Sequence, residues 1–196
     1  MVNLSTKLLV IIAVIFILQL LDFGITSAFI FDPSIAFLEP WRFITSMFLH
    51  ADTMHIFFNA YALFLFGSVL ERKVNQKDYL IIFFGAGLLG GLLYYATYLL
   101  GIIPPIPALG ASGAIFGLLG AVAVLLPNLR IFFFFIPMSM RHAAILWFII
   151  EFLGTFDISS GIASAAHLGG LIFGIAYAWS LKKKQYGDYG DPWQYR

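Results

Sequence analysis

From Ser112 to Leu126 the chain reads SGAIFGLLGAVAVLL, an uncharged run preceded by Gly110-Ala111 and closed by Pro127. At 1.5 Å per residue a helix of this length measures about 22 Å, short of the ~30 Å of hydrocarbon in a bilayer. If the end near Pro127 reaches one membrane boundary, the other end stops several ångströms beneath the opposite surface. Ser112 then sits inside the membrane, at a helix N-terminus. The segment before it, Pro104-Pro105-Ile106-Pro107-Ala108-Leu109-Gly110-Ala111, is apolar enough to dip inwards and meet it.

That reading needs a lipid-soluble chain, and the composition agrees. Of 196 residues, 61% are hydrophobic and 11% charged, and the mean hydropathy is +0.94. Soluble domains carry about 25% charged residues, and a soluble core of this size could not hide so much apolar surface. A water-soluble enzyme, a nucleic-acid binder and a disordered protein are therefore excluded. A net charge of +1 exerts no general pull on nucleic acid or an acidic partner. The absence of cysteine removes disulfides, thiolate metal sites and cysteine nucleophiles together.

Working outward from the short segment, five further apolar runs qualify as spans. They cover about Leu8 to Thr26, Met54 to Leu70 and Tyr79 to Leu100. A fifth ends near Leu153 with its start between Ile131 and Ala143, and a sixth covers Gly161 to Leu181. All six are expected to be helices, because irregular backbone is costly in lipid. The first run, with Lys7 before it and Thr26-Ser27-Ala28 after it, is long for a secretory signal and is kept as a helix.

Lys7, Arg72, Lys73, Lys77, Arg130, Arg141, Lys182, Lys183, Lys184 and Arg196 fall on one side of a six-span arrangement, and Arg42 alone on the other. This asymmetry predicts both termini in the cytoplasm. Residues 1–181 form the expected membrane domain and 182–196 a polar cytoplasmic tail. Asp22 and Glu151 fall near span ends and are read as structural, and no acid is obviously placed to orient a histidine.

Several polar residues then meet at one depth. His55 and Asn59, four apart, share one face of the second span. His167 lies about 9 Å below the start of the sixth. With Ser112 they form one polar layer drawn from three helices, the arrangement of a water-filled cavity. Gly113 and Gly117 on the fourth span, and Gly170 and Gly174 on the sixth, are small-xxx-small pairs that let helix backbones approach closely. If those faces touch, Ser112 and His167 come within hydrogen-bonding distance. Taken singly, each residue has a plainer role: Ser112 a helix cap, His167 a carbonyl partner, the glycines packing, Asn59 glue between helices. Those roles leave the common depth and the shortened helix unexplained.

These residues resemble the rhomboid family of intramembrane serine proteases. The family's GxSG is similar to Gly110-Ala111-Ser112-Gly113, its AHxxG to Ala166-His167-Leu168-Gly169-Gly170, and its HxxxN to His55 through Asn59. Trp41-Arg42 looks like its WR pair, and Gly67 to Glu71 like its GxxxE. The resemblance implies an all-α integral membrane protein, a six-transmembrane-helix bundle whose short fourth helix starts inside the membrane. It also implies an active site opening to the extracytoplasmic side and cleavage of peptide bonds in or near transmembrane segments of other proteins. Ser112 would be the nucleophile and His167 its base. His55, Asn59 and the Ser112 backbone N–H would hold the oxyanion, and Phe116 would pack against the catalytic histidine. Arg42 has a structural role in that pattern.

The chemistry asks for these residue types on its own terms. A serine hydroxyl is a weak nucleophile until a neighbouring base takes its proton, and neutral imidazole can take that proton and return it to a leaving amine. The pair reads as a dyad needing no cofactor and no metal: HExxH is absent, and no two aspartates lie mid-span. The expected partners are transmembrane protein substrates and the lipid bilayer. One alternative is a rhomboid-like protein that binds membrane proteins without cutting them, although such a relative should lack the serine or the histidine. A channel or transporter would want broken helices in paired halves or a charged path, and neither is visible.

Overall fold

Asn3 opens the first helix: its side chain accepts the Thr6 N–H at 2.8 Å, and α1 runs over Leu4–Leu20. The computed structural model describes residues 3–133, 135–157 and 163–186. α1 is displaced from the expected Leu8 to Thr26 at both ends. It begins at its cap, and it stops before Asp22 and Gly24, whose φ values of 54° and 69° turn the chain into the short α2 (Ile25–Phe29). Hydropathy does not register a turn made of one aspartate and one glycine.

Asp52 caps the next helix by accepting the His55 N–H at 2.8 Å. Here α4 (Thr53–Ala62), a π-helical stretch (Leu63–Gly67) and α5 (Ser68–Leu70) run on as one 18-residue rod. Asn75 caps α6 (Gln76–Leu99) in the same way. α7 covers Ser112–Leu125, α8 Met140–Gly154 and α9 Ser164–Tyr186. Thr53–Leu70, Gln76–Leu99 and Ser164–Lys184 are each long and apolar enough to cross a membrane, while Leu4–Leu20 and Ser112–Leu125 are shorter apolar helices. The short α3 (Arg42–Thr45) lies in the connection before α4.

The described residues of 131–139, a stretch included in the widest expected extent of the fifth span, are not helical. Arg130–Phe133 (β1) pairs antiparallel with Ile136–Ser139 (β2), and α8 begins only after Ser139, which caps it. The reason is local. Phenylalanine and isoleucine suit a pleated ribbon, Pro137 cannot sit inside a helix without breaking it, and Phe135 turns the chain at φ 68°. The expected start of the sixth span at Gly161 lies outside the described residues, as do residues 158–160 of the preceding connection. α9 carries the chain to Tyr186, and the expected tail from 187 onward also lies outside them.

Helix α7 is held between α6 and α9 by backbone contact. A Cβ on Gly170 would collide with the Gly113 carbonyl, one on Gly174 with the Gly117 carbonyl, and one on Gly117 with the Ala86 side chain of α6. Glycine at these crossings lets main chains touch. Tyr79, Phe83, Leu118 and Leu171 are fully buried around the same three helices. By contrast Val10, Ile17, Phe57, Phe64 and Trp179 are exposed on the flanks, as lipid-facing surface requires.

Candidate active site

Two independent ties fix the loop that delivers Ser112. Phe31 and Ala108 exchange backbone hydrogen bonds at 3.0 and 2.8 Å, and the Gly110 N–H donates to the Ser46 carbonyl at 2.9 Å. Tyr94 on α6 adds an O–H donated to the Ile106 carbonyl at 2.9 Å. The chain then turns at Gly110, whose φ of 126° disfavours any residue with a Cβ. A Cβ there would also stand 2.7 Å from His55 Nε2 and 3.7 Å from Ser112 Oγ. Gly110 therefore lets the His55 ring approach the serine.

Ser112 is the first residue of α7, so its N–H has no partner within the helix and lies at the positive end of the helix dipole. Its Oγ lies 2.7 Å from His167 Nε2, across 55 residues of sequence. With the imidazole proton on Nδ1, the serine O–H donates to Nε2. Phe116, one turn along α7, stacks on the His167 ring at 4.6 Å between centroids and 10° between planes. The stack holds the ring against rotation.

His55 and Asn59 line the same cavity of about 510 Å³ as Ser112 and His167, together with Ile103, Leu109 and Ala163. Asn59 donates to the His55 carbonyl at 3.0 Å, and its buried Oδ1 has no hydrogen-bond partner among the described residues. The amide's second N–H is left for the cavity. The polar layer expected from the sequence is one neighbourhood here.

Trp41 and Arg42 do not join it. Trp41 is 49% exposed. Arg42 is buried, donating to the Ser27 and Ile30 carbonyls at 2.9 and 2.7 Å and pairing with Glu39. It staples the 27–42 segment that carries Phe31. Gly113, Gly117, Gly170 and Gly174 lie at the helix crossings beneath the site.

Beside this layer His50 is almost fully buried, its ring edge-on to His55 at 5.1 Å. Neither ring nitrogen has a well-directed hydrogen bond among the described residues; the Phe48 carbonyl only partly offsets the effect of burial. Burial, helped by the neighbouring His55, lowers its pKa to about 4. His50 is therefore neutral near pH 7.

Sequence reasoning missed one group. Glu151, taken for a structural residue near a span end, is buried with Oε1 3.1 Å from His167 Nδ1. The available signal was a lone acid in the last turn of an apolar helix, where neither burial nor the helix dipole favours it. Among the described residues no three His, Cys, Asp or Glu side chains converge as a metal site requires.

Comparison with known proteins gives the family. The family model described as Rhomboid domain matches residues 38–184. Rhomboid protease GluP of Bacillus subtilis is 36% identical over 153 residues, which cover 78% of this chain and 28% of GluP. YdcA of the same bacterium is 33% identical, with 75% of this chain and 70% of YdcA covered. Rhomboid protein 1, mitochondrial, of Saccharomyces cerevisiae is 31% identical, with 71% and 41% covered. The chain thus spans under a third of GluP and under half of the yeast protein.

Proposed function

The chain belongs to the rhomboid family, an assignment that with its apolar helices makes it an integral membrane protein, and from that premise we propose that it is an intramembrane serine endopeptidase cutting in or near transmembrane segments of other membrane proteins. The observation that carries this reading is the 2.7 Å contact between Ser112 Oγ and His167 Nε2 at the wall of a cavity.

In the proposed reaction Ser112 Oγ attacks the scissile carbonyl carbon while its proton passes to His167 Nε2. The carbonyl oxygen becomes an oxyanion, received by the Ser112 N–H, the Asn59 amide and His55. As the intermediate collapses, the C–N bond breaks and His167 returns the proton to the leaving amine. Water then attacks the acyl carbon as its proton passes to His167; the C–Oγ bond breaks, the second product leaves, and His167 returns the proton to Ser112 Oγ.

The same proposal takes the bundle to have six spans, with α7 starting inside the membrane. Residues 1–181 act as the membrane domain and 182–196 as a tail whose first turn continues α9. The lysine and arginine distribution supports cytoplasmic termini and a cavity open to the opposite side. Because the chain lacks cysteine, single cysteines at Ser34 and Lys73 test this topology. An impermeant maleimide on intact cells should reach the first only; the reverse pattern rejects the orientation.

A fluorophosphonate probe tests the nucleophile without knowledge of a substrate. The purified protein should label and the Ser112→Ala variant should not. Absence of labelling in both, with the fold intact, favours the non-cleaving, membrane-protein-binding alternative.

A further inference from the structure

Glu151 occupies a position that local physics argues against. It sits in the last turn of α8, where the helix dipole repels an anion, and it is only 7% exposed. A buried carboxylate without compensation is costly, and the compensation visible among the described residues is one histidine edge. Glu151 Oε1 lies 3.1 Å from His167 Nδ1, with both side chains about nine-tenths buried. A local rule broken this way is the mark of a functional position.

The His167 ring is thereby engaged on three sides. Nε2 meets Ser112 Oγ, the face stacks on Phe116, and the Nδ1 edge faces Glu151. The 3.1 Å approach lies off the N–H direction, so Nδ1 has no aligned acceptor and the contact is electrostatic rather than a directed hydrogen bond. Catalytic hydrogen bonds are often loose before substrate binds and tighten in the complex.

We propose that Glu151 is a positioning residue that converts the Ser112–His167 pair into a three-membered relay; this rests on the protease reading above. The carboxylate holds the imidazole proton on Nδ1, which leaves the Nε2 lone pair facing Ser112. When the Ser112 proton moves to Nε2, the Glu151 carboxyl group faces the imidazolium that forms. No proton reaches the carboxylate.

The test compares wild type, Glu151→Gln, Glu151→Asp, His167→Ala and the double variant Glu151→Gln/His167→Ala. Readouts are fluorophosphonate labelling rate, cleavage of a model transmembrane substrate, and melting temperature in detergent. Loss of one charge-assisted contact should lower kcat about 10- to 100-fold. KM and melting temperature should hardly move, Glu151→Asp should recover part of the rate, and the Gln change should add nothing once His167 is gone. A second readout needs no turnover. In Ser112→Ala, imidazole 15N shifts should place the His167 proton on Nδ1, and Glu151→Gln should redistribute it.

Full activity in Glu151→Gln overturns the proposal, as does an equal loss in the His167→Ala background, or unchanged 15N shifts. A wild type that neither labels nor cleaves overturns the protease reading instead, and the 15N result then still decides whether Glu151 sets the tautomer.

Discussion

Two buried polar clusters hold the α-helical bundle together, and they differ in how completely they are satisfied. At one end, Glu71 accepts the Leu4 N–H, the Ser5 N–H at 3.3 Å and the Ser5 O–H at 2.9 Å, while Ser5 Oγ meets Tyr79 OH at 3.0 Å. Gly67 leaves room for it, since a Cβ there would stand 2.7 Å from both hydroxyls. The anion sits on the free N–H groups of α1, where the helix dipole favours it. At the other end, Ser112, His167 and Asn59 border a cavity, Glu151 lies behind His167, and Asn59 Oδ1 and His167 Nδ1 lack directed partners among the described residues. A saturated network is a staple. A network with buried polar atoms left unsatisfied beside a cavity is not explained by stability alone.

Asn59→Ala should break the second cluster chemically with little structural cost. If its spare N–H receives the oxyanion, kcat should fall by about 10²-fold, the usual scale for one such donor. The melting temperature should change little. Equal losses of turnover and folding would return Asn59 to the role of interhelical glue.

Glu71→Ala should do the opposite. Removing a carboxylate that accepts from three donors strands the amides of the first turn of α1, and about 3 kcal/mol of stability should go with them. Turnover per folded molecule should be preserved, as read by labelling normalised to the folded fraction. A variant that melts normally but turns over slowly would mean that the two ends are coupled.

The same contrast explains what could be read in the sequence. Ser112, His167, His55 and Asn59 are legible because the spacing of four on one helix and the small-residue pairs on two others constrain depth and approach. The helix-rich, lipid-soluble character follows from composition alone. Glu151 was illegible, because it has no motif partner on its own helix and faces His167 only after α8 packs against α9. The β1–β2 ribbon was hidden for another reason. Residues 130–139 are as apolar as a span, and their turn uses Phe135 at φ 68° instead of the glycine or asparagine that marks a hairpin. The first helix was misplaced by several residues because Asn3 and Asp22 act through hydrogen bonds and dihedral angles, which hydropathy does not see.

His50 belongs fully to neither cluster, and pH should show which one it joins. Its backbone is clamped to α1, the His50 N–H donating to Gln19 Oε1 at 2.9 Å and its carbonyl accepting from Gln19 Nε2 at 3.2 Å. Its ring faces His55. Folding lowers its pKa from 6.5 to about 4, so below 6.5 the unfolded chain takes up a proton that the folded chain refuses. Stability contributed by this residue is therefore whole above pH 6.5 and is lost progressively as pH falls towards 4. Between pH 7 and pH 5 the loss should be about 2 kcal/mol. His50→Phe keeps an aromatic edge against His55 and cannot titrate, so its melting temperature in detergent should fall less over that interval than that of the wild type. Parallel curves would mean that His50 is protonated in the folded state through some partner, and so belongs to a satisfied network like that of Glu71. If the variant flattens the curve and keeps its labelling rate at pH 7, His50 supports the site through packing alone, and the spare polar atoms that matter are confined to the layer of Ser112, Asn59 and His167.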